Sequence, residues 1–357
     1  MANISQKKGL VAGFLVTAKE LITLLLIVFL IRTFIFGLYQ VPTGSMETTM
    51  LVGERFFADK FTILFSKPKQ GDIVSFNDPR FPYSNNGLIR LFQEYVGTWS
   101  GPINWTKRVI GVPGDVVRGV VEGGTPVIYI NEKKLDEPYV NRYPLLARYL
   151  EDPARVREQA VRQAFALIQF TGMDRSVEEL ANELLYHNHD WIDWRSYDPY
   201  APYDKQPFYR FHADRIVHAS NFGMSEEGIR GMYGQQGVTV TKDDRLMREP
   251  GKSNQIGDPG QVMQRGKSHW NGSDEFYIEL GDNEYWLMGD NRRGSFDCRA
   301  FGPIHGRLIH GKIVFRIWSL DTTSNSWLDS WWIVDLMKHP IDFWTRVRWN
   351  RFFQIMR

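Results

Sequence analysis

The stretch Asn104-Trp105-Thr106-Lys107-Arg108-Val109-Ile110-Gly111-Val112-Pro113-Gly114-Asp115 reads as a short strand, residues 106–110, that runs into a Pro-Gly turn. The same texture repeats outward from it. Residues 73–76, 116–121 and 127–130 are apolar or β-branched runs bounded by turn residues, and Asn131-Glu132-Lys133-Lys134 reads as a hairpin turn. After a long gap, strand-like runs return at 276–280, 285–288 and 313–318. The expected fold class is mainly β.

The gap, residues 139–272, is an expected insertion, partly helical and otherwise loop-rich, that splits the β-domain into parts 40–138 and 273–320. Asp152-Pro153 supplies an N-cap and a first-turn proline, and Val156, Ala160, Ala164, Leu167 and Ile168 follow at helical spacing. Ser176 and Glu179 form a capping box ahead of Leu180, Leu184 and Leu185. The tail, 321–357, mixes Trp327, Trp331, Trp332, Trp344 and Trp349 with Lys338, Arg346, Arg348 and Arg351. Two readings of it stay open: a helix lying in a membrane interface, or a terminal helix packed on the body.

At the other end, residues 21–31 carry no charge, and 33–39 continue the apolar run beyond Arg32. The 19 residues from Leu21 to Tyr39 are about what a tilted helix needs to cross a bilayer. Lys7, Lys8 and Lys19 place residues 1–20 in the cytoplasm. With no small-x-small cleavage pattern behind the run, it is expected to be one retained transmembrane helix, 21–39, rather than a cleaved leader. The expected topology is single-pass, with the body outside the cytoplasm.

Composition narrows the class further. Hydrophobic residues at 43% and charged residues at 24% describe a folded chain rather than a disordered one. A net charge of +2 excludes nucleic acid as the main partner. A single cysteine, Cys298, excludes an intrachain disulfide and leaves the redox compartment open.

A serine hydroxyl needs a base beside it to act as a nucleophile. A lysine can serve if burial disfavours its charged form. Lys107, among apolar strand residues, could be such a base, although alone it reads as an ordinary exposed lysine. The eight histidines offer less: His187-Asn188-His189-Asp190 lacks the rest of a helical zinc motif. Ser66-Lys67-Pro68-Lys69 matches S-x-x-K, yet neither K-T-G nor S-D-N follows it.

Four segments occur in order behind the apolar run: Gly44-Ser45-Met46; Gly71-Asp72-Ile73-Val74; Lys107-Arg108-Val109 with Gly111-Val112-Pro113-Gly114-Asp115; and Gly289-Asp290-Asn291 with Ser295, Asp297, Arg299, Phe301, Gly302 and Pro303. Together they resemble the bacterial type I signal peptidases (leader peptidases), over about residues 20–135 and 275–320. The resemblance implies a serine endopeptidase of the bacterial inner membrane, single-pass with its body on the outer, periplasmic side, that removes signal peptides from exported preproteins after small residues in an A-x-A-like context. It implies Ser45 as nucleophile, Lys107 as general base, and Thr43 with the Ser45 N–H as oxyanion hole. Ser295 would orient the lysine, while Asp297, Arg299, Asp290 and Asn291 would brace the site. No metal or organic cofactor is implied; the partners are exported preproteins and membrane lipid, not nucleic acid.

Three positions depart from the family pattern. Thr48 stands where proline is usual, Met50 where leucine is frequent, and Cys298 where serine often follows the aspartate; Cys298 reads as a near-isosteric replacement, not a second nucleophile. Two rivals are a self-cleaving serine–lysine repressor, which would need a DNA-binding helix-turn-helix, and a silent membrane scaffold, which would not need the Ser45, Lys107 and Ser295 set.

Overall fold

Pairing of the short runs produces three antiparallel sheets in the computed structural model of the chain, which describes residues 2–95, 101–187, 191–222, 238–240, 244–250, 261–321 and 332–356. Helix α1 (Ala2–Phe34) leads into strand β1 (Phe36–Gln40), then β2 (Arg55–Asp59) and β3 (Ile73–Asn77). Helix α2 (Gly87–Tyr95) separates β3 from β4 (Asn104–Gly111), which turns into β5 (Val116–Glu122), β6 (Thr125–Ile130) and β7 (Lys133–Lys134). The middle holds β8 (Leu145–Tyr149), α3 (Pro153–Thr171), α4 (Val177–His187), β9 (Ile192–Ser196), β10 (Val238–Val240) and β11 (Leu246–Arg248). The chain returns through β12 (Met263–Arg265), β13 (Ser268–Trp270), β14 (Phe276–Glu279), β15 (Glu284–Met288), β16 (Ile304–His305), β17 (Ile309–Trp318) and β18 (Gln354–Ile355).

The largest sheet runs β1-β2-β17-β3-β4-β15-β16, with β18 also on β17; a second runs β12-β13-β14-β5-β6-β7 and a third β10-β11-β8-β9. With α1, α3 and α4 counted, the architecture is mixed α/β rather than the mainly β class expected. The strands at 263–270 hydrogen-bond toward β14, so the outer end of the stretch expected as an insertion belongs to the second sheet.

Local chemistry explains the turns. At the β4–β5 corner Gly114 takes φ +88°, and the Asp115 carboxylate accepts from Val112 N–H at 2.9 Å and from Asn131 Nδ2 at 2.8 Å. The hairpin expected at 131–134 places Asn131 and Glu132 in the left-handed region, at φ 50° and 63°, between the paired Ile130 and Lys133. In the middle segment Asp152 caps α3 through Ala154 N–H, and Val156, Ala160 and Ala164 are buried, while Leu167 faces outward. Ser176 accepts from Glu179 N–H at the start of α4.

One expectation, at the N-terminal end, changes. The anchor expected at 21–39 does not continue as helix: α1 stops at Phe34, and Phe36–Gln40 pairs with β2, Leu38 opposite Phe57. Once 35–39 pair as a strand, Glu20 and Arg32 bracket only 11 uncharged residues, about 16 Å of helix against the ~30 Å hydrocarbon core. Among the described residues no helix is long and apolar enough to cross a membrane. The described part of the tail packs on the body: Phe343 and Val347 bury against Leu320, and β18 extends the main sheet. Trp327 and Trp331 lie outside the described residues.

Candidate active site

The Pro42-Thr43-Gly44 segment leaves β1 extended, and Gly44–Met46 closes into a single 3-10 turn that carries Ser45. Beside it, β4 lies between β3 and β15, with Lys107 opposite Val74 and Arg108 opposite both Ile73 and Met288. Successive strand residues face opposite sides. Lys107 meets the serine turn, its Nζ 2.9 Å from Ser45 Oγ. Arg108 makes a bidentate pair with Asp290 at 2.9 and 2.7 Å, donates to Gly71 C=O at 2.8 Å, and stacks on Tyr139. That explains why Gly71 and Asp290 accompany the lysine in the sequence.

Lys107 is only 5% exposed, and burial pulls its pKa down to about 8, against the nearby negative charge of Asp297. Burial alone would raise the Asp297 carboxyl, but Arg299 holds it below its ordinary value. Asp297 accepts from Arg299 Nε at 2.9 Å and Gly289 N–H at 3.0 Å, and it caps the short helix Cys298–Phe301. Arg299 also reaches Asp274 at 2.6 Å. Cys298 is buried, accepts from Leu287 N–H, and has its thiol pKa pushed well up by burial. A thiol held protonated is a poor nucleophile.

The structure brings most of the expected residues together. Asn291 donates from its backbone to Ser45 C=O at 3.1 Å and from Nδ2 to Gly44 C=O at 3.0 Å, so it grips both carbonyls of the serine turn. Ser295 is buried against Gly289, where a Cβ would collide with both Ser295 Oγ and the Ser45 carbonyl. Thr43 is extended and exposed, and its hydroxyl does not cap the turn. Of the weighed histidine pair, His189 lies outside the described residues, and among those described no cluster of metal-binding side chains occurs.

Sequence reasoning missed Glu47, Ser196, Tyr209, Asn141 and Arg351. Glu47 is fully buried two residues after Ser45, and burial raises its pKa against the pull of Arg195, Tyr209 and Ser196. Arg351 reaches the Glu54 carboxylate at 2.6 Å and the carbonyls of Thr48 and Thr49. The only available sign of Glu47 was a carboxylate directly after Ser45-Met46, within the run Met46-Glu47-Thr48-Thr49-Met50.

Comparisons with known proteins bear on the family of the chain. The family model described as signal peptidase, peptidase S26, matches residues 15–179 and 233–318. The chain is 35% identical over 105 residues to signal peptidase I of Buchnera aphidicola subsp. Acyrthosiphon pisum, covering 29% of this chain and 31% of that protein. It is 32% identical over 126 residues to a probable signal peptidase I-2 of Synechocystis, covering 35% and 50%. The chain thus spans a third to a half of the length of these two relatives. Against signal peptidase I of Buchnera aphidicola subsp. Schizaphis graminum it is 26% identical over 317 residues, covering 84% and 74%. A crystal structure of a signal peptidase I from Enterococcus faecalis V583 aligns over 70% of this chain and 97% of its own, at 14% identity and a TM-score of 0.22, too low to carry a fold argument. Since the family model spans most of the sequence, the chain belongs to the signal peptidase, peptidase S26, family.

Proposed function

We propose that the protein is a membrane-attached endopeptidase that removes signal peptides from exported preproteins after small residues, with Ser45 as nucleophile and Lys107 as general base. The observation that supports this most is the 2.9 Å approach of a buried lysine amine to the Ser45 hydroxyl. With a pKa of about 8, a usable fraction of Lys107 is neutral near neutral pH.

The neutral amine takes the Ser45 proton as Oγ attacks the scissile carbonyl carbon, and the carbonyl electrons move onto oxygen. The Ser45 N–H and the Thr43 hydroxyl then donate to that oxyanion. On collapse the C–N bond breaks, Lys107 returns the proton to the departing amine, and the signal peptide remains esterified to Ser45. Lys107 next takes a proton from water, which attacks the ester and frees the serine. Ser295 orients the amine, while the Asp297–Arg299 and Arg108–Asp290 pairs and Asn291 hold the two strands in place. One oxyanion donor is worth about 3–4 kcal/mol of transition-state stabilisation.

Two features support attachment to lipid. Side chains of α1 from Leu21 to Leu30 are exposed and, apart from Thr23, apolar. Helix α2 is inside out: Leu88, Ile89, Leu91 and Phe92 face outward, while Arg90 and Glu94 pair at 3.0 Å on its inner side. Contiguous apolar surface of this kind marks an interaction site.

The test is cleavage of a preprotein by the full-length chain in detergent. Ser45→Ala and Lys107→Met should each abolish cleavage while leaving the fold intact; either variant cutting at the parent rate would refute the assignment.

A further inference from the structure

We infer that the middle segment of the chain is part of the catalytic machinery: its Ser196 and Tyr209 grip Glu47, and Glu47 is a positioning residue that fixes the Ser45 turn against the lysine strand. The inference rests on the proposed roles of Ser45 and Lys107.

Glu47 closes the serine turn from both sides of its own residue. Its backbone N–H donates to Gly44 C=O at 3.1 Å, completing the loop around Ser45. Its carboxylate, with no exposed surface, is held entirely from the middle segment. Ser196 donates to Oε2 from its backbone at 2.9 Å and its hydroxyl at 2.8 Å, and Tyr209 Oη donates to Oε1 at 2.6 Å. Arg195 stands 3.9 Å from the same carboxylate, itself tied to Asp193 at 2.6 Å. Tyr209 Oη in turn accepts from Val52 N–H at 3.0 Å, so one phenol holds the chain at two points past the nucleophile. Gly44 fits the same picture, since a Cβ there would approach Glu47 Oε1 at 2.8 Å and Trp194 C=O at 3.3 Å. The β9 backbone therefore lies directly behind the nucleophile turn.

The same network continues to the base. Asn141 donates to Ser196 Oγ at 2.9 Å, and its backbone N–H donates to Asp290 C=O at 2.9 Å. Asp290 pairs with Arg108, the neighbour of Lys107. A continuous hydrogen-bonded chain thus runs from the Ser45 turn through Glu47, Ser196, Asn141 and Asp290 to the strand that carries Lys107. The packing agrees: Met46, Met50 and Leu51 share one apolar cluster with Leu146, Tyr197, Tyr209, Phe211 and Met247 of the middle segment. Buried and fully partnered polar groups of this kind fix a unique geometry. Here the geometry fixed is the separation of nucleophile and base.

The test compares full-length Tyr209→Phe, Ser196→Ala, Glu47→Gln and Glu47→Ala with the parent, in detergent, on a preprotein substrate. A misplacement of about 1 Å costs on the order of 100-fold in rate. Tyr209→Phe and Ser196→Ala, which each remove a single hydroxyl, should therefore lower kcat roughly 10- to 100-fold with KM within twofold, measured below a melting point that the lost hydrogen bond lowers. Glu47→Gln, which keeps one acceptor oxygen, should retain more turnover than Glu47→Ala. The hydroxyl variants decide the matter even if Glu47→Ala fails to fold. If they fold and keep kcat within twofold, or if only KM changes, the inference is overturned while the Ser45–Lys107 reading stands. Ser45→Ala run alongside and still cleaving would overturn both.

Discussion

Lys107 carries two opposing demands, and each gives a measurable sign. Its folded pKa of about 8 lies below the unfolded value of 10.5, so between those pH values the unfolded chain binds more protons. Burying the charged form thus costs stability in full below about pH 8, and the cost is relieved as pH rises toward 10.5; the shift corresponds to about 3 kcal/mol. Lys107→Met should therefore be inactive yet more stable than the parent at pH 7, by up to that order, in urea unfolding. It should also lose the rise in stability between pH 8 and 10.5. A variant destabilised at pH 7 would mean that the lysine is paired rather than strained. Thr43→Val should lower kcat roughly 100- to 1,000-fold with little change in KM if Thr43 is an oxyanion donor. Equal kcat would remove Thr43 from that role. Gly289→Ala should abolish activity, because a methyl there would press on Ser295 Oγ and the Ser45 carbonyl together.

At the scale of elements, the strands were legible because their cause is local. Residues 73–76, 106–110 and 285–288 carry β-branched and aromatic side chains between turn residues, and each lies within an observed strand. The caps Asp152 and Ser176 were legible for the same reason. The break at Phe34 was not, because Phe36–Gln40 is turned into a strand by pairing with Arg55–Asp59, a contact that the apolar run cannot announce. Nor was the partner of Glu47, which lies 149 and 162 residues away at Ser196 and Tyr209. Asp152→Ala should lower stability by about 1 kcal/mol through loss of the α3 cap, in a denaturant melt. Helix α2 supplies a second test at this scale. Replacing Leu88 and Phe92 with serine should weaken sedimentation with anionic vesicles without unfolding the chain; unchanged binding would separate α2 from the lipid surface.

The whole molecule places its site where four distant parts of the chain converge. The serine turn follows the N-terminal helix, the lysine strand sits in the main sheet, and the middle segment and the C-terminal residues close in from behind. Arg351 and Arg316 both meet the buried Glu54 carboxylate, and Arg351 also holds the Thr48 and Thr49 carbonyls just past the nucleophile. Arg351→Ala leaves that carboxylate buried with one partner fewer, so it should cost about 3 kcal/mol and slow cleavage, read by unfolding and by turnover below the melting range. The convergence was only half visible beforehand, since the ordered motifs named Ser45, Lys107, Asp290 and Ser295 but nothing in 139–250 or 351. The central claim, a buried lysine acting as a neutral base on Ser45, is tested most directly by the pH dependence of kcat/KM for preprotein cleavage. Activity should rise with pH through a single ionisation near 8, as Lys107 loses its proton. A profile that is flat from pH 6 to 10, or that rises only near the ordinary lysine value of about 10.4, would contradict it.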